Sequence, residues 1–342
     1  MRQGNRKLWA VLLALMIALT CMPALAQEAA PTAQRIICLA PSSVEIVYAL
    51  GRAGDIVGWS QYTDYPPEVT EVPGWIPYEQ YAFQSVEDEL KKQVAVVSSF
   101  MDCNMEVIEA LKPTLILACE STQETMAKDL EAKGYKVLFH NPQTLDDVFQ
   151  MMLDVGEAIG AKTEAETLVT AQRAEVAEIQ AITEKLPRVK VYLEIAHRMG
   201  DYGPYATGAG SPMDQIIAVA GGENIFADVA SSAFATDYPD IVARNPDVIL
   251  SPMWPNAGRE EVTTVREIVM REGFENIAAV QNDRVYHYDS SLLKRPGPRQ
   301  VTAIRKLAYL LHPYSFSNPE NSVSPWELGK IDETYPSEKP LR

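Results

Sequence analysis

The sequence predicts an α/β protein of two lobes, each on a mostly parallel sheet, joined by one long rigid α-helix with a ligand cleft between the lobes. Three observations predict it. Short apolar runs alternate with amphipathic segments over residues 35–159, a helix-patterned stretch of roughly two dozen residues follows, and the alternation restarts after Pro187. A chain of 342 residues is also about twice the usual length of one domain.

Arg2, Arg6 and Lys7 precede an apolar run over residues 8–19, followed by Ala24-Leu25-Ala26 and Gln27. That order predicts an export signal peptide over 1–26, cut after Ala26, and a periplasmic or otherwise exported mature chain. Cleavage removes three cations and no acid, taking the formal charge from −16 to −19. Cys21 admits a second reading as a lipid-anchored cysteine, but Ala18, Leu19 and Thr20 before it depart from the usual lipobox. No later stretch approaches the about 20 apolar residues of a membrane-spanning helix.

After a linker over 27–34, the first lobe is expected over 35–160. Residues 35–40 read as a buried strand, and Ser42-Ser43-Val44-Glu45 has the form of a capping box opening a helix that Gly51 ends. Further strands are expected at 55–59, 94–97, 114–118 and 136–139. Helices are expected at 104–111, stopped by Pro113, and at 122–133, stopped by Gly134. Residues 145–159 and 163–186 are helical in pattern, the second reaching about 36 Å and forming the core of a backbone helix over 161–187. The second lobe, 188–312, shows strands at 189–194, 247–250 and 284–288, and helices at 211–220, 262–271 and 298–311. Pro212 suits a first helical turn with Ser211 as its cap. Residues 313–342, rich in Pro, Ser, Asn and Glu, read as an extension.

Composition excludes several classes. An acidic chain with no Lys/Arg stripe lacks the footprint of nucleic-acid binding. There is no HExxH, GxSxG or Walker loop, and Gly208-Ala209-Gly210 lacks the third glycine of a dinucleotide loop. His140, His197, His287 and His312 are too scattered for metal-ligand spacing. Cys38, Cys103 and Cys119 have no CxxC spacing; Cys103 with Cys119 is the pair to test for a disulfide, against buried free thiols. No resident metal or cofactor is expected, and a monomer is.

Aromatic and polar side chains gather where strands end, the place where open α/β sheets bind ligands. Residues 59–67, Ser98 to Asp102, Tyr202 to Tyr205 and Met253-Trp254 would line an aromatic cleft suited to a large flat ligand. The alternative is loop aromatics packing on their own lobes.

Six motifs are similar to those of substrate-binding proteins of ABC importers, in the class with two lobes on one backbone helix that carries cobalamin, haem and ferric siderophores. They are residues 35–45, Asp64-Tyr65-Pro66-Pro67, Asn104-Met105-Glu106 with Leu111-Lys112-Pro113, residues 220–226, residues 243–247 and Arg295-Pro296-Gly297-Pro298-Arg299. Residues 62–67 and 97–106 resemble the cobalamin-binding members most. The resemblance implies no enzymatic activity, but capture of a corrinoid or other metal chelate and its delivery to an ABC permease in the inner membrane.

The same resemblance implies corrin contacts for Pro41, Tyr62, Phe100 and Tyr205, and an arginine contact to ligand side groups for Arg295. Ser42, Ser43, Met101, Phe234 and Trp254 complete the candidate set. Cys119 stands where these members have a tryptophan, and Ala233-Phe234 replaces another. Glu106, with Asp240 beside Pro239, would dock the permease as weak, orienting ion pairs. A ferric siderophore would favour Arg198, Arg259 or Arg295, and haem would need an axial Tyr62, Tyr205 or His197. An exported hydrolase using the cleft with Asp or His as base, and a sensor or adhesion module, are the readings from other classes.

Overall fold

The computed structural model describes residues 34–77, 80–82, 84–99, 101–197, 203–253 and 265–316. The expected signal peptide, most of the linker, the residues beyond 316, and Phe100, Arg198, Tyr202, Trp254 and Arg259 lie outside the described residues. All that is described belongs to one compact unit beginning at Gln34.

The first sheet holds five parallel strands in the order β3-β2-β1-β4-β5. They are β1 (Ile36–Cys38), β2 (Ile56–Ser60), β3 (Ala95–Ser98), β4 (Leu115–Cys119) and β5 (Val137–His140). β1, β3 and β4 are buried along their whole length, which is why they read as unbroken apolar runs rather than alternating ones. Helices α1 (Pro41–Ala49), α2 (Val86–Glu89), α3 (Met105–Leu111) and α4 (Glu124–Ala132) connect them. α1 packs with Ile36 and Cys38 on one face, whereas α3 and α4 pack with Ile37 and Leu39 on the other.

The capping box expected at Ser42 to Glu45 does not form. Pro41 occupies the first turn and sets the start of α1, Ala40 is its N-cap without a side-chain bond, and Glu45 is drawn to arginines of the second lobe. The expected cysteine pair does not form either. Cys119 packs on the α1 side of the sheet and Cys103 on the α3/α4 side, so the sheet separates the two thiols, and Cys38, Cys103 and Cys119 are all free.

α5 (Leu145–Ala158) opens on a capping box, with Thr144 accepting from the Asp147 amide while the Asp147 carboxylate accepts from the Thr144 amide. α6 (Lys162–Thr183), 22 residues and about 33 Å long, is the backbone helix. It stops before the expected residue 186 because Lys185 and Leu186 donate to Ile182 and Thr183 in a tightening turn ahead of Pro187. Gly156 of α5 permits the close approach of α6; a Cβ there would come within 2.4 Å of that of Ala165. One apolar cluster runs from Ile36 through Met152, Val155 and Ala165 to Val191, Leu193 and Ile304, so the lobes share a core along α5 and α6.

The second sheet is mixed. β6 (Val189–Ala196) pairs in parallel with β10 (Val248–Met253), which pairs with β11 (Val285–Asp289). The other edge of β6 is divided: β8 (Gly222–Asn224) runs parallel to its first half, and β7 (Tyr205–Ala206) pairs antiparallel to its second and carries β9 (Phe234–Ala235). Helices α7 (Pro212–Val219), α8 (Tyr238–Arg244), α9 (Val265–Val269), α10 (Ala278–Gln281), α11 (Ser290–Lys294) and α12 (Gln300–Leu311) complete the lobe. Ser211 is the N-cap residue of α7 ahead of Pro212, but its hydroxyl pairs with Thr207 at 2.9 Å rather than with the helix. Within the described residues the helix expected over 262–271 covers only Val265–Val269.

Candidate functional site

Strand order reverses at β1 and β4 in the first sheet, with α1 and α4 leaving to opposite faces. A crevice therefore opens outside the carboxyl ends of these two strands, the place where open α/β sheets bind ligands. Its lips are the start of α1 on one side and Cys119-Glu120 on the other.

Arginines of the second lobe cross to this crevice. Arg299 donates from Nε and Nη2 to the two carboxylate oxygens of Glu45 at 2.8 and 2.6 Å, and lies 3.9 Å over the Tyr65 ring. Arg295 donates from Nη1 to Asp64 at 2.5 Å and to Glu45 at 3.4 Å, and from Nη2 to the Tyr62 carbonyl at 3.2 Å. Lys294 donates to the Ile195 carbonyl at the end of β6, at 2.7 Å. Burial pulls its ammonium down to about 8, with Glu120 opposing. Burial likewise pushes the Glu120 carboxyl up to about 7, against the pull of Lys294 and Arg295. The site thus joins the two lobes through ions with little water around them.

The sequence-derived candidates fall into groups. Pro41, Ser42 and Ser43 are buried in the first turn of α1, at the crevice. Tyr62 follows β2, where its carbonyl meets Arg295, so these four are brought to one place with Arg295. The Arg295 guanidinium is occupied by Asp64, Tyr62 and Glu45, and a ligand contact from it would share or displace those bonds. Tyr205 on β7 is half-buried against the shared core. Phe234 on β9 packs edge-on to Phe226 at 5.3 Å, within its own lobe. Met101 is exposed, at 74 %.

His197, just after β6, belongs to a different cluster. Arg271 grips the buried Glu194 with two bonds of 2.6 and 3.0 Å and donates to His197 Nδ1 at 2.8 Å. The Tyr192 hydroxyl also donates to Glu194. With Nδ1 accepting, the neutral ring carries its proton on Nε2, so axial ligation of a metal would require the Arg271 bond to break.

Glu106 is exposed in the first turn of α3, whose N-cap Asn104 accepts from the Val107 amide. Asp240 lies in the first turn of α8, its side chain 45 % exposed, and accepts from Arg244 at 3.0 Å, a kind of partner that Glu106 does not have among the described residues.

Sequence reasoning gave no place in the site to Glu45, Asp64, Arg299, Glu120 or Lys294. Glu45, Asp64 and Arg299 sat inside the motifs, but their partners lie over 200 residues away, beyond any local pattern. Glu120 had one local sign, an acid directly after an apolar strand. Among the described residues no group of three or more His, Cys, Asp and Glu could hold a metal, and no helix is long and apolar enough to cross a membrane.

Two α/β lobes pinned to one helix, with both sheets' carboxyl ends turned to a shared polar seam, define a solute-binding protein. The chain belongs to the periplasmic binding protein family, whose model matches residues 36–292. It is 30 % identical over 290 residues to an uncharacterised ABC transporter substrate-binding lipoprotein of Bacillus subtilis, covering 83 % of this chain and 81 % of that one. A vitamin B12-binding protein of Photorhabdus laumondii is 24 % identical over 289 residues, covering 81 % and 88 %. Among solved structures, the periplasmic heme-binding protein RhuT of Roseiflexus superposes with a TM-score of 0.66 at 23 % identity, covering 83 % and 100 %. The sequence's fold and class thus stand as expected.

Proposed function

We propose that this chain is the capture component of an ABC importer, holding a corrinoid-type chelate between its lobes and passing it to a membrane permease. The observation that carries the reading is the convergence of Pro41, Ser42, Ser43, Tyr62 and Arg295 at the strand-order reversal of the first sheet, with the second lobe reaching across. Tyr205 and Phe234, with Phe100, Met101 and Trp254, would supply aromatic and apolar contact area, and a few polar groups would orient the ligand. The corrinoid assignment rests on the resemblance of residues 62–67 and 97–106 and on a relative named for vitamin B12. Glu106 and Asp240 would orient the complex on the permease, Glu106 more freely.

Haem is the second reading, favoured by the tyrosines at the crevice and by the heme-binding structural neighbour. An axial Tyr62 suits it better than His197, whose Nδ1 is engaged. Titration of the mature protein with cyanocobalamin, dicyanocobinamide, haemin and a ferric siderophore, followed by tryptophan quenching and ligand absorbance, tests the proposal. Submicromolar binding of the corrinoids alone is expected. Tight binding of haemin or the siderophore instead would keep the capture role and overturn the ligand.

A further inference from the structure

We infer that Glu120 is a ligand-contacting selectivity residue, whose carboxylate accepts N–H groups of a neutral, amide-bearing chelate and turns away chelates with peripheral anions. This rests on the capture reading above and names the chemical class that the crevice takes.

Glu120 directly follows β4, at the strand-order reversal where the crevice opens, opposite Lys294 and Arg295 of the other lobe. Glu120 has φ 73° and ψ 151°, a region suited almost solely to glycine, because a Cβ crowds the backbone there. The conformation is not slack. Its amide donates to the His140 carbonyl at 2.9 Å and its carbonyl accepts from the Gln123 amide at 3.0 Å. Glycine would make this turn without strain, yet the chain carries a glutamate, so the side chain must serve where it stands.

Among the described residues the carboxylate makes no hydrogen bond or close ion pair, and feels Lys294 and Arg295 only through longer-range attraction. Lys294 donates to the Ile195 carbonyl, and Arg295 to Asp64, Tyr62 and Glu45. A half-buried acceptor left open beside a cleft is matched by a ligand donor.

Charge then selects the donor. Among the described residues of this seam the cations Lys294, Arg295 and Arg299 face Glu45, Asp64, Glu120 and Asp289, which leaves no surplus of positive charge for an anionic guest. Once ionised, above about pH 7, Glu120 would meet like charge in a carboxylate-bearing or catecholate chelate, whereas primary amides offer it N–H donors without net charge.

The test compares the wild type with Glu120→Gly and Glu120→Lys, using dicyanocobinamide and a neutral ferric trihydroxamate against haemin and a ferric tris-catecholate. The wild type is expected to prefer a neutral probe. Glu120→Gly should weaken that probe about tenfold while raising the melting temperature by a few degrees, because strain is relieved as the contact is lost. Glu120→Lys should move the preference at least tenfold toward the anionic probes. A neutral-to-anionic affinity ratio unchanged within twofold in both variants, or a wild type that prefers an anionic probe, would overturn the inference. Preference for the hydroxamate with both variant effects intact would overturn the corrinoid reading alone. Corrinoid binding that ignores residue 120 would overturn this inference alone, and silence toward all four probes would overturn both.

Discussion

Among the described residues two buried carboxylates meet arginines, and they do so on different terms. Glu194 and Arg271 lie wholly within the second lobe, doubly bonded, with the Tyr238 and Phe274 rings 5.4 and 5.5 Å from the guanidinium. Glu45 is as well bonded by Arg299, but its partners come from the other lobe. The first pair is sealed by its own core and can be broken only by unfolding that core. The second exists only while the lobes face each other, so separation of the lobes or an arriving ligand can exchange its partners. Similar chemistry therefore serves stability in one place and lobe registration in the other.

The largest test of this contrast is Arg271→Met. It leaves Glu194 buried without its arginine, with only the Tyr192 hydroxyl still donating to it, and we expect a loss of about 3–5 kcal/mol in urea unfolding. A loss under about 1 kcal/mol would erase the distinction between the two pairs.

Acid sharpens the comparison, because it also attacks the second lobe from within. His287 on β11 is buried, neither ring nitrogen has a hydrogen-bond partner among the described residues, and burial pulls its pKa down to about 4. The folded ring stays neutral while the unfolded one charges near 6.5. Its contribution to stability is therefore full above 6.5 and is lost as pH falls toward 4, by up to about 3 kcal/mol. Unfolding at pH 7 and pH 4 should show this slope in the wild type, and His287→Leu should flatten it.

Glu45→Gln should cost less, about 2 kcal/mol, since water can reach Arg295 and Arg299 once the lobes part. Its signature is faster amide exchange at both ends of the seam with the Glu194 cluster unaffected. Equal protection in variant and wild type would contradict the registration role. The smallest effect is expected for Arg244→Ala, which removes surface pairs to Asp228 and Asp240 and a stack on Phe226; thermal melts should move by no more than about 1 kcal/mol of stability.

Legibility in the sequence followed the range of the interactions. β1, β3 and β4 are buried parallel strands and announce themselves as apolar runs, as do the largely buried β2 and the half-buried β5, and α5 and α6 carry helical periodicity over many turns. β7 and β9 are two-residue strands, too short for any period, and α8 starts in the Asp237-capped turn that holds Asp240 but had no apolar stripe to mark it. The capping box at Ser42 to Glu45 satisfied a local rule, yet an arginine 254 residues away took its glutamate. Pro41, Tyr62 and Arg295 were legible as a group through motif resemblance, whereas the ionic seam that gathers them was visible only once both lobes were in place.

Hydrogen exchange of the mature protein with and without dicyanocobinamide tests most directly the claim that the ligand is held across this seam. Protection is expected in both lobes at once, at residues 41–45 and 60–65 of the first and 203–206 and 290–299 of the second, with 189–194 unchanged. Protection confined to one lobe, or falling away from these segments, would contradict it.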